Sequence, residues 1–434
     1  MDPRFLFYIT DRIENATEKF NQYMINRIVR RIVTLFDKEG TVDIIPATLS
    51  DIKKMRETGE VFQDIKKAVK DKLPEIEDEL EEAFERTANS VTRDSDRFTE
   101  MLVKQESIPV NVPEPIKEQK PIRQLNVTAK EKALLKRAYK KTDGEIYNLT
   151  GTTAEQWQKE FIRVTDEAYW KVTHGVSLNT AVSEAIDEAA KYGTVVKYPT
   201  GHEDKIEVAV LRAVRTGLNQ AAGDMSLARC ASLGVSQVLV SSHLGARYTD
   251  KIEPANHMSW QGKVYDIDWN NPAFEKYKPN ILDPNDIKLY QKVRKNLALL
   301  MKKNRSAGDF VEVTGYGTGE GLCGWNCRHT FSPFWVGINM NNTEQYDSKE
   351  NKERYDLEQN QRKMERKLRE ARKVVNARKA GMQAAKTPEL KNELKAKHKE
   401  SQDKYSKMMQ DYLDFCKKNK LRPLYERLKV PEVD

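Results

Sequence analysis

The chain has 434 residues, 38% of them hydrophobic and 32% charged, with a mean hydropathy of −0.74. So small an apolar share fills only part of such a length with core, so two or three domains of roughly 100 to 200 residues with extended, solvated helices are expected, an assembly component before a compact catalyst. The net charge of +8 is too modest to mark a dedicated nucleic-acid binder, four cysteines do not make a secreted disulfide framework, and neither a basic-then-apolar leader nor a run of about 18 apolar residues occurs, so the expectation is synthesis in a reducing cytoplasm with no cleaved signal and no membrane span.

In chain order, Phe20, Met24, Ile28, Ile32 and Phe36 recur every fourth position, with Tyr23, Val29 and Val33 widening the stripe, which predicts an amphipathic helix from Ile13 to Phe36. A second helix is expected from Leu49, with Ser50 and Asp51 as cap candidates, and a third, strongly acidic one from Leu73 to Phe98. Residues 1–103 thus read as a helical region, followed by a linker over 104–128 carrying Pro109, Pro113, Pro115 and Pro121. Helices resume at Ala129, with Trp157, Phe161, Val164, Ala168 and Val172 on one stripe and Leu178, Val182, Ala185 and Ala189 on another, giving a helical region over 129–193. The texture then changes: TVVKY and SQVLVSSH are β-branched runs bounded by Gly, Pro or Ser, and Val208 to Cys230 between them is helical in pattern. A small mixed domain over 194–340 follows, its later part rich in Gly, Pro, Asn and aromatics. From Thr343 the chain is helical again without relief except for Gly381 and the Thr387-Pro388 pair, which divides the run into two helices, with one seam of Leu357, Met364, Leu368, Ala371, Val375 and Met382 and another of Leu390, Leu394, Tyr405, Met408, Tyr412 and Phe415. These narrow seams suit a long hairpin or an arm over 341–434 that contacts another subunit. The fold class is α+β: mostly helical, with a small mixed α+β domain and long N- and C-terminal helical arms.

Four groups of residues bear on chemistry. Cys323, Cys327 and His329 form C-x3-C-x-H, and His257 and His243 lie upstream, so three or four soft ligands could converge on a structural Zn2+. The alternative is plain packing, in which the thiols are small buried hydrophobes and each imidazole bonds a backbone carbonyl. The same segment begins GYGTGEG, but no Gly-Lys-Ser/Thr follows and no apolar helix comes next, so it is neither a P-loop nor a dinucleotide fingerprint. Its glycines are expected to allow positive-φ turns that gather Trp325, Phe331, Phe334 and Trp335 into one cluster. Arg247, Asp250, His257 and Trp260 mix a cation, a carboxylate and a base in a loop-rich stretch, which keeps a hydrolase or transferase in the 194–340 domain as an alternative, although no Gly-x-Ser-x-Gly or His-Glu-x-x-His occurs. Finally, residues 359–385 hold nine basic side chains (Arg362, Lys363, Arg366, Lys367, Arg369, Arg372, Lys373, Arg378 and Lys379) against only Glu365 and Glu370. Such a stripe could track packaged DNA or an acidic partner, or be a solvated helix face.

Three stretches, EVAVLRAVRTGLNQAAG (207–223), HLGARYTDKIEPANHMSWQGKVY (243–265) and GYGTGEGLCGWNCRHTFSPFWVG (315–337), resemble the phage minor capsid protein 2 family, which is related to the Mu F-like head morphogenesis proteins. The resemblance extends over roughly 130–420, since YDLEQNQRKMERKLREARK is also similar. Arg247, His257, Trp260, Gly262, Trp325, Asn326 and Arg328 are expected to form the structural motif of the mixed domain. The resemblance implies a virion protein of few copies inside the capsid near the portal vertex, made in the host cytoplasm. Its implied partners are the portal protein, the major capsid or scaffold proteins and, non-specifically, packaged DNA, and its implied roles are head assembly and DNA packaging or delivery. A DNA-binding assembly factor not retained in the virion is the remaining alternative.

Overall fold

The computed structural model describes residues 3–37, 50–51, 53, 60–104, 129–192, 195–198, 200–233, 235–278, 306–334 and 341–432. Five long helices come first: α1 (Pro3–Phe36), α2 (Glu60–Lys104), α3 (Ala129–Thr173), α4 (Leu178–Tyr192) and, after strands β1 (Val195–Lys197) and β2 (Glu203–Lys205), α5 (Ile206–Leu233). Strand β3 (Gln237–Val240), the single turn α6 (His257–Trp260), strand β4 (Val264–Asp266), a 3-10 turn (Pro272–Tyr277), the short α7 (Phe310–Thr314) and strand β5 (Phe331–Pro333) make the mixed part. The chain closes with α8 (Ser348–Ala384), α9 (Pro388–Lys418) and a 3-10 turn (Tyr425–Leu428). The fold class is therefore mostly helical α+β. Among the described residues no helix is long and apolar enough to cross a membrane. The proline-rich stretch after Lys104, Trp335 and most of the helix expected from Leu49 lie outside the described residues.

The chain forms two compact units, each of three separated segments. The first comprises Met1–Thr10, Leu80–Asp143 and Arg212–Asp356; the second comprises Asp11–Glu79, Gly144–Leu211 and Leu357–Asp434. The boundaries fall inside helices α1, α2, α3, α5 and α8. A composition scan sees the Pro-rich stretch and the change of texture at Gly193, but an uninterrupted helix carries no signal of which unit each part of it joins.

In the second unit α1 supplies the core. Phe20, Met24, Ile28, Ile32 and Phe36 are at most 2% exposed. Each such burial stabilises by about 1.5–3 kcal/mol, so the stripe and not intrinsic propensity specifies the helix. The other faces are covered as well, which the stripe alone understates. Thr17 is buried with its hydroxyl donating to the Ile13 carbonyl (2.8 Å), and buried Gln22 donates to Asn26 (2.7 Å). The acidic face expected on α2 meets basic residues of α1 in the pairs Lys19 to Glu75 (2.8 Å) and Arg12 to Glu79 (3.5 Å), both too exposed to stabilise by more than about 1 kcal/mol. The hairpin β1–β2 belongs to this unit and pairs antiparallel with Val195 opposite Lys205, Gly201 turning it at φ 81°.

Helices α8 and α9 form the expected hairpin, and Leu368, Tyr412, Cys416, Leu421 and Leu428 are its core. α8 runs through Gly381 to Ala384, and a Cβ there would press on Ile186 of α4, so the glycine permits close helix packing. The break falls at Ala385 to Thr387, where Asp37 accepts from the backbone N–H groups of Lys386 and Thr387 and from the Thr387 hydroxyl. The hairpin is thus embedded in its own unit over the α8 C-terminal half.

A buried charge network lies beneath it. Lys373 pairs with Glu207 and with Glu18 (3.3 Å), Arg369 approaches Glu18 at 3.6 Å, and Asn21 donates to Glu207 (3.0 Å). Burial, and next to it the neighbouring Glu207, push Glu18 up to about 7 against the pull of Lys373 and Arg369. Glu207 is also penalised by burial, yet the charge and hydrogen bond of Lys373 carry it below the usual carboxylate range.

Because Glu18 binds its proton more tightly folded than unfolded, its contribution to stability is full below about pH 4.5 and is lost as the pH rises toward 7. Glu18→Gln should therefore flatten the fall in thermal midpoint between about pH 5 and 7, and an unchanged slope would place Glu18 in water. Lys373→Ala strands two buried carboxylates and should lower the urea-unfolding free energy by about 3–5 kcal/mol.

Candidate metal centre at the glycine-rich knot

In the first unit β3 is the middle of a three-stranded antiparallel sheet ordered β4-β3-β5, with Val238 opposite Tyr265 and Val240 opposite Phe331. α5 packs beside it, and Gly223 lets the Tyr316 and Phe331 rings approach the helix to 3.0–3.3 Å of where a Cβ would stand. The buried pair Arg229 to Glu131 (2.7 Å) ties α5 to α3. The knot, residues 315–330, leaves α7 at Gly315, a left-handed C-cap at φ 62°, and returns into β5.

Two different constraints demand glycine here. Gly315 and Gly317 take positive φ, as the sequence suggests. Gly321 and Gly324 do not: a Cβ on Gly321 would run into the Gly315 carbonyl, and one on Gly324 into the Gly319 carbonyl. Close passage of backbone past backbone is the constraint there. Cys323 (φ 60°) and Asn326 (φ 52°) also sit in the left-handed region, a strain of about 1–2 kcal/mol each that the surrounding hydrogen bonds must hold. The backbone N–H groups of the glycine run point inward, Thr318 to Gly315, Gly321 to the Thr318 hydroxyl and Leu322 to Thr314.

The aromatic cluster differs from the expected one. Trp325 is 56% exposed and lies over Gly319, while Phe331 joins Phe310 (4.9 Å between ring centroids) and Tyr316 (5.6 Å). An indole beside glycines has too little apolar surface to bury against, whereas the sheet and α7 offer Phe331 a full wall. Phe334 is buried, and Trp335 lies outside the described residues.

Of the expected ligands, the fold gathers His257, Cys327 and His329, one donor atom of each lying within 4.8 Å of the others, all buried. Neither Cys323 nor His243 is in that group. The Cys323 thiol faces the His329 carbonyl at 4.0 Å, and burial, then the neighbouring Cys327 and Asp224, raise it well above the usual thiol range. His243 lies tilted against His329 with centroids 4.2 Å apart, and Trp260, fully buried, covers both His257 (4.6 Å) and His329 (4.8 Å). Burial, followed by the charge of Arg328 at His243 and of Arg247 at His257, pushes each of these two down to about 3, and burial with the neighbouring His243 and His257 holds His329 well below the usual imidazole range, so all three are neutral imidazoles. Burial raises Cys327 to about 11.

The remaining motif residues frame this cluster. Arg247 donates to the carbonyls of Glu320 (3.2 Å) and Trp325 (2.5 Å), so its guanidinium braces the knot, and Asp250 is exposed while His257 is 2% exposed. Gly262 (φ 70°) offers its carbonyl to Asn341 (2.8 Å), Thr343 (2.9 Å) and Gln345 (2.9 Å), joining the motif to the segment leading into α8. Asn351 at the start of α8 clamps the loop by accepting from the N–H groups of Gly245 and Ala246 and donating to the Ala246 carbonyl (3.0 Å). Asn326 is exposed, and Arg328 is half-buried.

Two residues that matter most were not singled out from the sequence. Asn219, fully buried on α5, donates to the carbonyls of both Cys327 and His329 at 3.1 Å. Gln261 accepts from the His243 backbone N–H (3.0 Å) and bonds His329 Nε2 (3.0 Å). The legible signal for Asn219 was a carboxamide between Leu218 and Ala221 on an apolar helix face, since a buried amide there must find a partner.

The nine basic residues of α8 divide by environment. Lys373 is buried in the charge network; Arg369 donates to the Arg427 carbonyl (2.6 Å); Arg378 forks onto Asp187 (2.5 and 2.7 Å). Arg372 and Lys379 both reach Glu432 (3.0 and 2.5 Å), and Arg362 pairs with Glu358 (3.6 Å). Lys363, Arg366 and Lys367 are exposed. Uniform phosphate tracking along the stripe is thereby ruled out for the buried members.

Asn219→Ala should cost about 1–3 kcal/mol for each carbonyl left unpaired, read by urea unfolding. Gly321→Ala should cost more than Gly319→Ala, because the Gly315 backbone cannot step aside and the exposed Trp325 ring can; equal losses would mean the knot backbone is free to shift.

No curated protein and no solved structure matches the chain. The family model of phage minor capsid protein 2 matches residues 1–413, and with the three motif stretches meeting in one buried knot inside that span, this chain belongs to the phage minor capsid protein 2 family.

Proposed function

We propose that this phage minor capsid protein sits with the portal protein at one vertex inside the head, contacts the major capsid or scaffold proteins, and acts in head assembly and in the packaging or delivery of DNA. The observation that carries the reading is the family match across residues 1–413, which takes in both the knot and the helical hairpin. The inward turn of the knot's polar groups supports a structural role over a hydrolase or transferase. Arg247 and His257, the cation and base of the enzyme alternative, are engaged with the backbone carbonyl of Glu320. Quantitative mass spectrometry of purified virions and of DNA-free procapsids tests it, with cross-linking to the portal. A few copies per particle are expected in both; presence in procapsids alone would make the protein an assembly factor released before maturation, and a copy number near that of the major capsid protein would remove it from the portal vertex.

A DNA contact is favoured by one specific observation, the exposure of Lys363, Arg366 and Lys367 on one stretch of α8. Three such contacts release counterions, so replacing all three by alanine in the full-length chain should reduce the slope of log K against log salt for duplex DNA by about 2–3. An unaltered slope would hand these residues to an acidic protein partner.

A further inference from the structure

We infer that His257, Cys327 and His329 bind one Zn2+ ion, and that His243, which stands outside their 4.8 Å group, turns in as the fourth ligand. The inference stands independently of where in the particle the protein sits, since it rests on the interior of the first unit alone.

The tautomers support it first. His257 Nε2 lies 2.8 Å from the Glu320 carbonyl oxygen, which can only accept, so Nε2 carries the proton and Nδ1 keeps a lone pair. His329 Nε2 lies 3.0 Å from Gln261 Oε1. That carboxamide is oriented from both ends, its oxygen also accepting from the His243 N–H and its nitrogen donating to the Met258 sulfur (3.2 Å). His329 therefore also donates from Nε2, and its Nδ1 lone pair faces Cys327 Sγ at 3.8 Å. An imidazole whose other nitrogen donates to a carbonyl or carboxamide oxygen is how proteins aim a metal-binding histidine.

Geometry supports it next. With Zn–N of about 2.0–2.1 Å and Zn–S of about 2.3 Å, the N to S edge of a tetrahedron is about 3.5–3.6 Å, within a few tenths of the observed separation. The three donors lie within 4.8 Å of one another, so the other two edges close by at most about 1.5 Å to reach tetrahedral spacing. His243 Nδ1 is an independent pointer: it is buried with no hydrogen-bond partner, on a ring tilted 35° against His329 with centroids 4.2 Å apart. A buried imidazole nitrogen left without a partner is costly, and a fourth metal bond would remove that cost. Asn219 meanwhile holds the carbonyls of Cys327 and His329, so two ligands come from a backbone that is already fixed. Three neutral imidazoles and one thiolate are a borderline-soft set that suits Zn2+ and not Mg2+ or Ca2+. On binding, the Cys327 proton leaves to solvent as the S–Zn bond forms.

The test uses the full-length chain, purified without a metal-binding tag and dialysed against Zn2+ or Co2+. One Zn2+ per chain by total-metal analysis is expected, and the Co2+ form should show the visible bands of a tetrahedral site with charge transfer from a single thiolate. Cys327→Ser should lose the ion and Cys323→Ser should keep it with the spectrum unchanged. Gln261→Ala, which releases the His329 ring and the His243 backbone without removing a ligand, should weaken affinity about 10- to 100-fold. His243→Ala should also weaken it, and unchanged affinity would overturn the fourth-ligand assignment. Should Cys327→Ser fail to fold, chelation of the wild type decides: a reversible drop in thermal midpoint restored by Zn2+ is expected. No bound metal in the Zn2+-dialysed wild type, or two-thiolate charge transfer lost in Cys323→Ser, would overturn the site.

Discussion

Asn219 holds two backbone carbonyls, those of Cys327 and His329, from the middle of a helix that cannot move to accommodate them. Much of the knot is arranged around that clamp. With the two carbonyls fixed, the chain between Gly315 and Thr330 must fold back on itself within a few ångströms, which is why it contains glycines at which backbone meets backbone and two non-glycine residues, Cys323 and Asn326, in the left-handed region. Arg247 then braces the outside of the loop and Trp260 seals its inside. The three stretches that resemble the phage minor capsid family are the helix that carries the clamp, the loop that carries the brace and the seal, and the knot itself. The helix and the loop each donate to carbonyls of the knot.

Burial governs electrostatics in both units. In the knot it strips protons from three imidazoles and keeps one on a thiol, leaving a neutral cluster with lone pairs directed by second partners. In the second unit it gathers Glu18, Glu207, Lys373 and Arg369 away from water, where each charge is tolerated only because the others are present. The same basic run of α8 thus serves two ends: Lys373, Arg369 and Arg378 face the unit's own carboxylates and carbonyls, and Lys363, Arg366 and Lys367 face solvent. Net charge said nothing of this division, since ion pairs hide in it.

In the mixed domain Arg247 and His257 are turned inward and matched to the Glu320 carbonyl, while Asp250 faces solvent.

By itself the sequence determined the helices and which of their faces are apolar, because a stripe repeating every 3.6 residues has only one way to be buried. The positions of α3, α4, α5, α8 and α9 and of strands β1 and β3 follow from that pattern within a few residues, α1 begins ten residues before its expected start at Ile13, and the compositionally odd segment from Gly315 to Phe334 identified the family. Tertiary structure alone decided which parts of each helix join which unit, because an unbroken helix carries no mark at such a boundary. It also decided that Cys323 stands apart while His257 joins Cys327 and His329, that Gly381 packs and does not break α8, and that Lys373 is interior. Each of these depends on partners 60 to 360 residues away in the chain, among them Asn219, Glu18, Ile186 and Gln261. Spacing in sequence constrains neighbours along one element, whereas a ligand set or a buried ion pair is defined by which elements meet.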